Sequence, residues 1–221
     1  MGQSDRQSAA WYDRQSSVVV PFPVPKSDEG LVKALRAGYP EAVRALNERH
    51  SAELLRIAAR ILGPDATLCA VVTDAIRRAL ADLEELEDPT RLRLWLTSRV
   101  VTACRARLRW RRYFGWITAG KAQSQARAAA PRPSGEQEQA PDASSYSEQM
   151  LAAYRVLDRI GDKQRILFCL VVIHAMSLAE VTTVLGLSLI SARTVLDGAC
   201  RDFARLSENE PSISRLRLRS A

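Results

Sequence analysis

Residues 178–193 read LAEVTTVLGLSLISAR, and this stretch has the pattern of a helix–turn–helix motif. Apolar Val181 and Leu185 lie one helical turn apart and predict the inner face of a first helix. Gly186 permits a tight turn, and Ser188 is a residue type that caps the start of a second helix. The spacing therefore predicts two helices that cross at a short turn.

Helical patterning extends from this motif over the rest of the C-terminal half. The predicted helices cover about 149–159, 162–173 and 177–185, followed by a helix to about 206. The preceding segment, 118–149, is rich in Ala, Gln, Ser and Pro, and it is too long for a loop inside a compact domain. We therefore predict a flexible linker at 118–149 and a helix–turn–helix domain at 150–206.

A second helical domain is predicted on the other side of the linker, at 27–117. Its predicted helices cover about 27–37, 40–62, 66–86 and 90–113, and the sequence contains no alternating strand pattern. Residues 1–26 include three prolines in five residues near their end, which exclude a helix and predict a disordered arm. Residues 207–221 are predicted to be a basic tail. The expected fold class is all-α, with two small helical domains joined by a flexible linker.

The positive charge of the chain is concentrated in one segment. The 221 residues include 32 Lys and Arg and 25 Asp and Glu, for a net charge of +7. Ten basic residues and no acidic one lie from Arg91 to Arg127, which leaves the rest of the chain at −3. Such a segment favours a polyanionic partner, either nucleic acid or an anionic membrane surface.

The sequence argues against a membrane-spanning or secreted protein. Its longest apolar run, Ile166–Ile173, has eight residues, whereas a membrane-spanning helix needs roughly 20. The first residues lack the pattern of a signal peptide. We therefore expect a cytoplasmic protein with no membrane span.

Few residues suit catalysis or metal binding. Of the two histidines, His50 lies on an apolar helical stripe and is predicted to be a packed core residue. The four cysteines have no metal or redox spacing and are each predicted to be small buried apolar residues: Cys69, Cys104, Cys169 and Cys200. There is also no Gly-rich phosphate loop and no nucleophile elbow. We predict no enzyme, no cofactor, no metal site and no small-molecule substrate.

The predicted helix at 90–113 interleaves arginines with aromatic residues. Arginine binds phosphate and aromatic rings stack on unpaired bases, so the mixture suits a surface that holds DNA and captures splayed bases. The predicted DNA-binding residues of this helix are Arg99, Arg105, Arg109, Trp110, Arg111 and Arg112. The alternatives are a solvated basic face and a basic amphipathic helix on a membrane.

The second helix of the helix–turn–helix motif supplies a further set of candidates. Side chains near the start of such a helix reach base edges in the major groove. Here they are Ser188, Ser191, Arg193 and Thr194. Because the middle of this helix is poor in basic residues, a helical hairpin that contacts protein is the alternative.

The order of these parts resembles a bacterial sigma factor of the extracytoplasmic-function type, a family with a helical region 2, a linker and a helix–turn–helix region 4. The resemblance covers roughly residues 30–116 and 150–206. In region 2 the resemblance begins with 31–38, 42–46, His50 and 54–58. Residues 71–80 are similar to the family's polymerase-binding helix. Trp95-Leu96 and 109–112 are similar to its promoter-melting helix. In region 4 it lies in Leu157, Gln164-Arg165, 177–181 and 185–188.

This resemblance implies a DNA-binding sigma factor that binds core RNA polymerase and directs promoter recognition and transcription initiation. Region 2 would hold and help open the −10 element of promoter DNA, and region 4 would read the −35 element. Core polymerase would bind residues 65–82, with the candidates Val71, Asp74, Arg77 and Arg78. An anti-sigma factor is a further implied partner.

Departures from the family pattern leave a second function open. Thr67-Leu68-Cys69-Ala70 replaces the acidic run that usually precedes the polymerase-binding helix, and the recognition helix has Val195 and Gly198 where the family has arginines. These departures favour a sigma-like interaction protein that binds polymerase or a regulator without directing initiation. An ordinary helix–turn–helix regulator is a third interpretation, but it leaves the Arg–Trp helix unexplained.

Overall fold

The computed structural model describes the backbone of residues 25, 27–126 and 141–210. It describes their side chains except those of 115–126 and 141–147. These residues form eight α-helices and no strand, so the predicted fold class is confirmed for them. The helices are α1 (Asp28–Arg36), α2 (Pro40–Leu62), α3 (Leu68–Ala81), α4 (Leu92–Ala126), α5 (Pro141–Arg159), α6 (Asp162–Phe168), α7 (Leu178–Leu185) and α8 (Leu189–Glu208).

Several helix bounds differ from the predicted ones. The helix predicted at 66–86 ends at Ala81 and is followed by short 3-10 turns at Leu83–Glu85 and Pro89–Arg91. Helices α4 and α5 extend into the predicted linker from its two ends. The middle of that linker, 127–140, lies outside the described residues, as do the predicted arm apart from Pro25 and the tail beyond Glu210.

Local sequence explains where several helices start and end. Ser188 Oγ accepts a hydrogen bond of 3.2 Å from the Ser191 N–H and caps α8, as its residue type predicts. Gly186 has a φ of 62° and Gly63 a φ of 74°, backbone conformations that residues with a Cβ rarely adopt. Gly63 ends α2, and Gly186 turns the chain between α7 and α8.

Helices α2, α3 and α4 form the core of the N-terminal half. Helix α4 buries every fourth side chain along one stripe, which consists of Leu92, Leu96, Val100, Cys104 and Leu108. His50 of α2 is buried with its Nε2 atom 3.3 Å from Asp28 Oδ1, so the prediction of a packed core histidine is confirmed.

Helices α6 and α8 form the core of the C-terminal half. The rings of Phe168 and Phe203 stack with their centroids 4.8 Å apart. Residues Cys169–Ile173, predicted as the end of one helix, form a π-helical turn after α6. The buried residues of both halves belong to one hydrophobic cluster, so the halves pack against each other.

The two halves meet at the C-terminal end of α2. The last four carbonyl groups of an α-helix lack partners within the helix. Here each of them accepts a hydrogen bond from a distant side chain: Ala59 from Tyr154 Oη at 3.1 Å, Arg60 from Cys169 Sγ at 3.1 Å, Ile61 from Arg165 Nε at 2.7 Å and Leu62 from Arg111 Nη1 at 2.8 Å. The two guanidinium groups also complement the negative end of the helix dipole.

A second polar contact joins the halves at the middle of α2. The Arg93 guanidinium of α4 donates to Glu53 of α2 at 3.1 Å and to Glu180 of α7. His174, which follows the π-helical turn, contacts the Arg60 side chain through its Nδ1 atom. The helix–turn–helix motif at 178–193 therefore lies against the N-terminal half.

The cysteine prediction is correct for two residues and wrong for two. Cys104 and Cys169 are buried, whereas Cys69 and Cys200 are exposed. Cys69 precedes the buried stripe of α3, and Cys200 lies next to the buried Ala199 but on the solvent side of α8. The prediction used the apolar character of cysteine, which does not determine whether a cysteine lies on the buried or the exposed face of its helix.

Candidate nucleic-acid interface

The outer face of α4 carries the exposed basic and aromatic side chains. Arg105, Arg109, Trp110 and Tyr113 point away from the buried stripe, and Trp110 is 51% exposed. We call these four residues, with Arg107, the Arg–Trp patch. Within the described residues, Arg105 and Arg109 have no ion-pair partner, so their guanidinium groups are free to bind an anion.

Neighbouring groups orient the indole of Trp110. The Arg107 guanidinium carbon lies 4.7 Å from the Trp110 ring centroid, and the Phe114 ring lies 5.2 Å away on a tilted plane. Tyr113 is 76% exposed beside them. Exposed rings next to arginines are the pattern on which unpaired bases stack.

Arg107 is itself held by Asp65, which lies between α2 and α3. Its Nε and Nη2 atoms donate to the two carboxylate oxygens of Asp65 at 3.1 and 3.3 Å. Burial tends to raise the pKa of Asp65, but hydrogen bonds from Arg107 and Thr67 outweigh it and lower the pKa from 3.8 to about 2. The carboxylate therefore stays charged and fixes Arg107 against Trp110.

Arg99, predicted to bind DNA, forms ion pairs with the acidic residues that follow α3. Its guanidinium contacts Asp82 at 3.3 Å and also Glu85, and it lies 5.0 Å from the ring centroid of Trp95. The structure therefore separates Arg99 from the Arg–Trp patch.

Arg111 and Arg112 lie at the junction of the halves. Arg111 Nη2 is 3.4 Å from Asp158 Oδ1, and Arg112 Nη2 is 2.9 Å from Asp162 Oδ1. Arg112 also donates to the carbonyl oxygen of Ile160 at 3.0 Å. Of the predicted DNA-binding residues of α4, Arg105, Arg109 and Trp110 thus lie together on an exposed surface. Arg111 and Arg112 instead form ion pairs with Asp158 and Asp162 of the chain itself.

The helix–turn–helix motif has the predicted local geometry. Ser177 and Glu180 cap α7 reciprocally: Ser177 Oγ accepts from the Glu180 N–H at 3.2 Å, and the Ser177 N–H donates to the Glu180 carboxylate at 3.0 Å. Ser177 Oγ also donates to that carboxylate at 2.8 Å. These bonds from Ser177, together with Arg93, hold the pKa of Glu180 below its usual value. Helices α7 and α8 cross with a bend of 105°.

The start of α8 presents a mixture of polar and apolar side chains. Ser188 Oγ donates to Ser191 Oγ at 2.9 Å, and Thr194 Oγ1 donates back to the Ile190 carbonyl at 3.0 Å. Arg193 is exposed and has no ion-pair partner in the described part of the chain. Leu189 and Ile190 are exposed as well, an apolar pair that the sequence prediction did not single out.

The predicted polymerase-binding residues lie on α3. Val72 is buried and Val71 is half-buried against the same core. Asp74 pairs with both Arg77 and Arg78 at 2.7 Å, and the hydrogen bond from Arg77 holds the pKa of Asp74 below its usual value. The predicted set therefore consists of an ion-pair cluster, Asp74 with Arg77 and Arg78, beside the half-buried Val71.

Side chains at the junction of the halves were missed by sequence reasoning. Tyr154, Asp158 and Asp162 each contact a residue of the N-terminal half that lies 47 or more positions away in the chain. Local patterns carry no information about such a contact. In the described residues there is also no cluster of side chains suited to a metal ion and no single helix long and apolar enough to cross a membrane.

Comparison with known proteins supports the fold. No family model matches the chain, and no curated protein matches it. Among solved structures, that of CnrH in complex with the cytosolic domain of CnrY has a TM-score of 0.57 and 20% identity, over 83% of this chain and 98% of that chain. The sigma factor RpoE in complex with the anti-sigma factor NepR from Bartonella quintana has a TM-score of 0.43 and 14% identity, over 71% and 91%. The chain has the fold of extracytoplasmic-function sigma factor structures.

Proposed function

We propose that this chain is a sigma factor that binds core RNA polymerase in the cytoplasm and directs promoter recognition and transcription initiation. The observation that carries the proposal is the Arg–Trp patch on α4. Its unpaired Arg105 and Arg109 lie beside an exposed indole that Arg107 orients. Such a surface suits the melted −10 element of a promoter, because arginine binds the backbone and the aromatic rings stack on unpaired bases.

The helix–turn–helix motif supports the same function. A capped α8 that crosses α7 at 105° has the geometry of a recognition helix. Arg193, in the first turns of α8, would reach a base edge or a phosphate of the −35 element. Ser188 is the helix cap, and we assign it to positioning rather than to DNA contact.

Core polymerase would bind the exposed face of α3. Asp74, Arg77 and Arg78 form a polar cluster there that takes no part in the core of the chain. CnrH, whose fold is similar, is found in complex with the cytosolic domain of CnrY. We propose that this chain likewise has a regulatory protein partner, an anti-sigma factor.

Two observations favour a second function, a sigma-like interaction protein that does not direct initiation. Arg111 and Arg112 are paired within the chain, and the start of α8 exposes Leu189 and Ile190. The ion pairs reduce the number of arginines available to DNA phosphates. The exposed apolar pair suits contact with a protein better than contact with DNA.

Run-off transcription with bacterial core polymerase and genomic DNA fragments separates the two functions. A sigma factor yields transcripts with discrete starts that depend on the added chain. An interaction protein binds core polymerase in a pull-down but yields no transcript.

The matched controls use residues with known contacts. Arg109→Ala with Trp110→Ala should abolish transcripts and leave polymerase binding unchanged, since the polymerase candidates Asp74, Arg77 and Arg78 pair with one another and not with these two residues. Arg205→Ala removes another exposed arginine, whose partner is Asp202, and should leave both activities unchanged. Full transcription by the Arg109→Ala, Trp110→Ala variant would overturn the assignment of the Arg–Trp patch.

A further inference from the structure

We propose that the apolar segment 18–24 of this chain docks in a groove between the end of α2, the start of α3 and α5. The partner is therefore a part of the chain itself, and the groove is an intramolecular docking site. The proposal does not depend on the proposed function, since none of the side chains proposed to contact DNA or polymerase lines this groove.

The groove is apolar and has a volume of about 520 Å³. The residues that line it with apolar or aromatic groups include Ala59, Gly63, Leu68, Met150, Leu151 and Tyr154. Met150 is 58% exposed and Leu151 is 46% exposed, so two large side chains of α5 face solvent at this site. Covering them with further apolar groups would be favourable, because it removes apolar surface from water.

Tyr154 forms a fixed wall of the groove. Its Oη atom donates to the Ala59 carbonyl at 3.1 Å, and its ring lies against Gly63, where an added Cβ would be 2.8 Å from Cδ1. Extended proline-containing segments dock in grooves that are lined by aromatic rings. The groove therefore suits an occupant of that kind.

The chain contains such a segment. Residues 18–24 read VVVPFPV and include no polar side chain. Its prolines exclude a helix and favour the extended polyproline II conformation, whose backbone forms no internal hydrogen bonds. No other run of seven residues without a polar side chain occurs in the sequence outside the described residues. The segment thus offers apolar side chains that contribute to none of the described helices.

The end of the segment lies on a face of α2 that leads to the groove. The Arg49 guanidinium donates to the carbonyl oxygen of Pro25, the residue that follows the segment. Positions 49, 52, 56, 59 and 63 are three or four residues apart, so they share one face of α2. Ala52 and Arg56 of this face are exposed. An open face therefore runs from Pro25 to the groove.

The length of the segment matches the length of this face. From Arg49 to Gly63, α2 rises about 21 Å at 1.5 Å per residue. The seven residues 18–24 span about 22 Å in the polyproline II conformation, at 3.1 Å per residue. A segment that runs along α2 from Pro25 would therefore bring the valines at 18–20 to the groove.

The test measures disulfide formation within the full chain. Cys69 and Cys200 are first replaced by Ser, because they are the exposed thiols, whereas Cys104 and Cys169 are buried. Val19→Cys combined with Met150→Cys should then form an intramolecular disulfide under mild oxidation, since the Cα atoms of a disulfide lie about 4.4–6.8 Å apart. Val18→Cys and Val20→Cys, each with Met150→Cys, allow for a shift of one residue.

The matched control places the second cysteine outside the groove. Ile190 is an exposed apolar residue at the start of α8. Val19→Cys with Ile190→Cys should form a disulfide at least about tenfold more slowly, because only the tether brings the two thiols together.

A dye that fluoresces on apolar surfaces measures whether the groove is filled. Replacing the valines at 18–20 by Ser should empty the groove and raise the fluorescence at least about twofold. Adding Leu151→Ser to that variant should lower the fluorescence again. Trp11→Ser with Tyr12→Ser, which removes apolar side chains earlier in the same arm, should leave it unchanged.

A fast intramolecular disulfide at one or more of the three valine positions, together with the rise in dye fluorescence, supports the docking site. Disulfide-linked dimers in place of the intramolecular bond would show that a second copy fills the groove, and they overturn the proposal. Slow bond formation at all three positions overturns it as well. Equal dye fluorescence of the wild type and the valine variant also overturns it, because the groove is then open to a different ligand. None of these measurements involves DNA or polymerase, so each outcome leaves the proposed function untouched.

Discussion

The Nε atom of Arg165 donates a hydrogen bond of 2.7 Å to the carbonyl oxygen of Ile61 and joins α6 to the end of α2. Arg165 is 1% exposed, and its Nη1 atom contacts the Asp158 carboxylate. Its Nη2 atom is buried without a hydrogen-bond partner in the described part of the chain. A charged group is thus buried at the junction of the halves, where a helix end and one carboxylate compensate it.

Replacing Arg165 should destabilise the whole chain. Arg165→Ala leaves the Ile61 carbonyl without its donor, leaves Asp158 with Arg111 as its remaining partner, and creates a cavity. We therefore expect a loss of about 3–5 kcal/mol in the free energy of unfolding. Urea denaturation followed by circular dichroism measures it. Arg205→Ala, at an exposed ion pair, should change the same quantity by less than about 0.5 kcal/mol. A loss no larger than that of the control would show that the buried guanidinium contributes nothing to stability.

Gly63 should tolerate no side chain, because of both its backbone and its neighbour. Its φ is 74°, and an added Cβ would lie 2.8 Å from Cδ1 of Tyr154. We expect Gly63→Ala to lower the free energy of unfolding by at least about 2 kcal/mol. Gly38 has a φ of 78° with no atom within 4 Å of an added Cβ, so Gly38→Ala should cost only the backbone strain, about 1 kcal/mol. If Tyr154 causes the difference, the cost of Gly63→Ala should fall in a Tyr154→Ala background.

Asp65 should make stability depend on acid pH. Its pKa in the folded chain is about 2, below the ordinary 3.8, and only 5% of its side chain is exposed. The stabilisation is complete above about pH 4 and is lost as the pH falls through 2; it amounts to about 2 kcal/mol. Asp65→Asn should lower stability at neutral pH and flatten its dependence on pH between 4 and 2, as measured by urea denaturation at each pH. An unchanged acid profile would contradict the ion pair with Arg107.

The four thiols should divide into two pairs by reactivity. Burial raises the pKa of Cys104 and of Cys169 to about 12, so neither thiol forms a thiolate near neutral pH. Cys69 and Cys200 are exposed. A chromogenic disulfide reagent should therefore modify two thiols quickly in the folded chain and four after denaturation. Rapid modification of Cys169 in the native chain would show that the halves open on the time scale of the reaction.

The Arg–Trp patch should bind single-stranded DNA through separable electrostatic and stacking contributions. Arg109→Ala should weaken binding evenly across sequences and reduce the slope of log affinity against log salt by about one. Trp110→Ala should cost about 1–3 kcal/mol with little change in that slope. Arg91→Ala is the control on the same segment, since Arg91 is paired with Asp88 before α4 begins. Equal salt slopes for the wild type and Arg109→Ala would remove the phosphate contact.

Local sequence determined the elements of this protein. Ser188 and Gly186 predict the cap and the turn of the helix–turn–helix because capping and positive φ depend on one residue and its immediate neighbours. The four-residue spacing along α4 predicts its buried stripe for the same reason, since helical periodicity fixes which side chains share a face. These features, and the presence of arginines on the exposed face of α4, can be predicted without a tertiary structure.

Tertiary structure alone decided which of those arginines are free. Arg109 and Arg112 are alike in type and lie in one basic run, yet Arg112 is paired with Asp162, 50 positions away, and Arg109 is not. The carbonyls that end α2 accept bonds from Tyr154, Arg165 and Cys169 across separations of 95 to 109 positions. Such contacts depend on how whole helices pack, and packing is set by the summed burial of both halves rather than by any short stretch of residues.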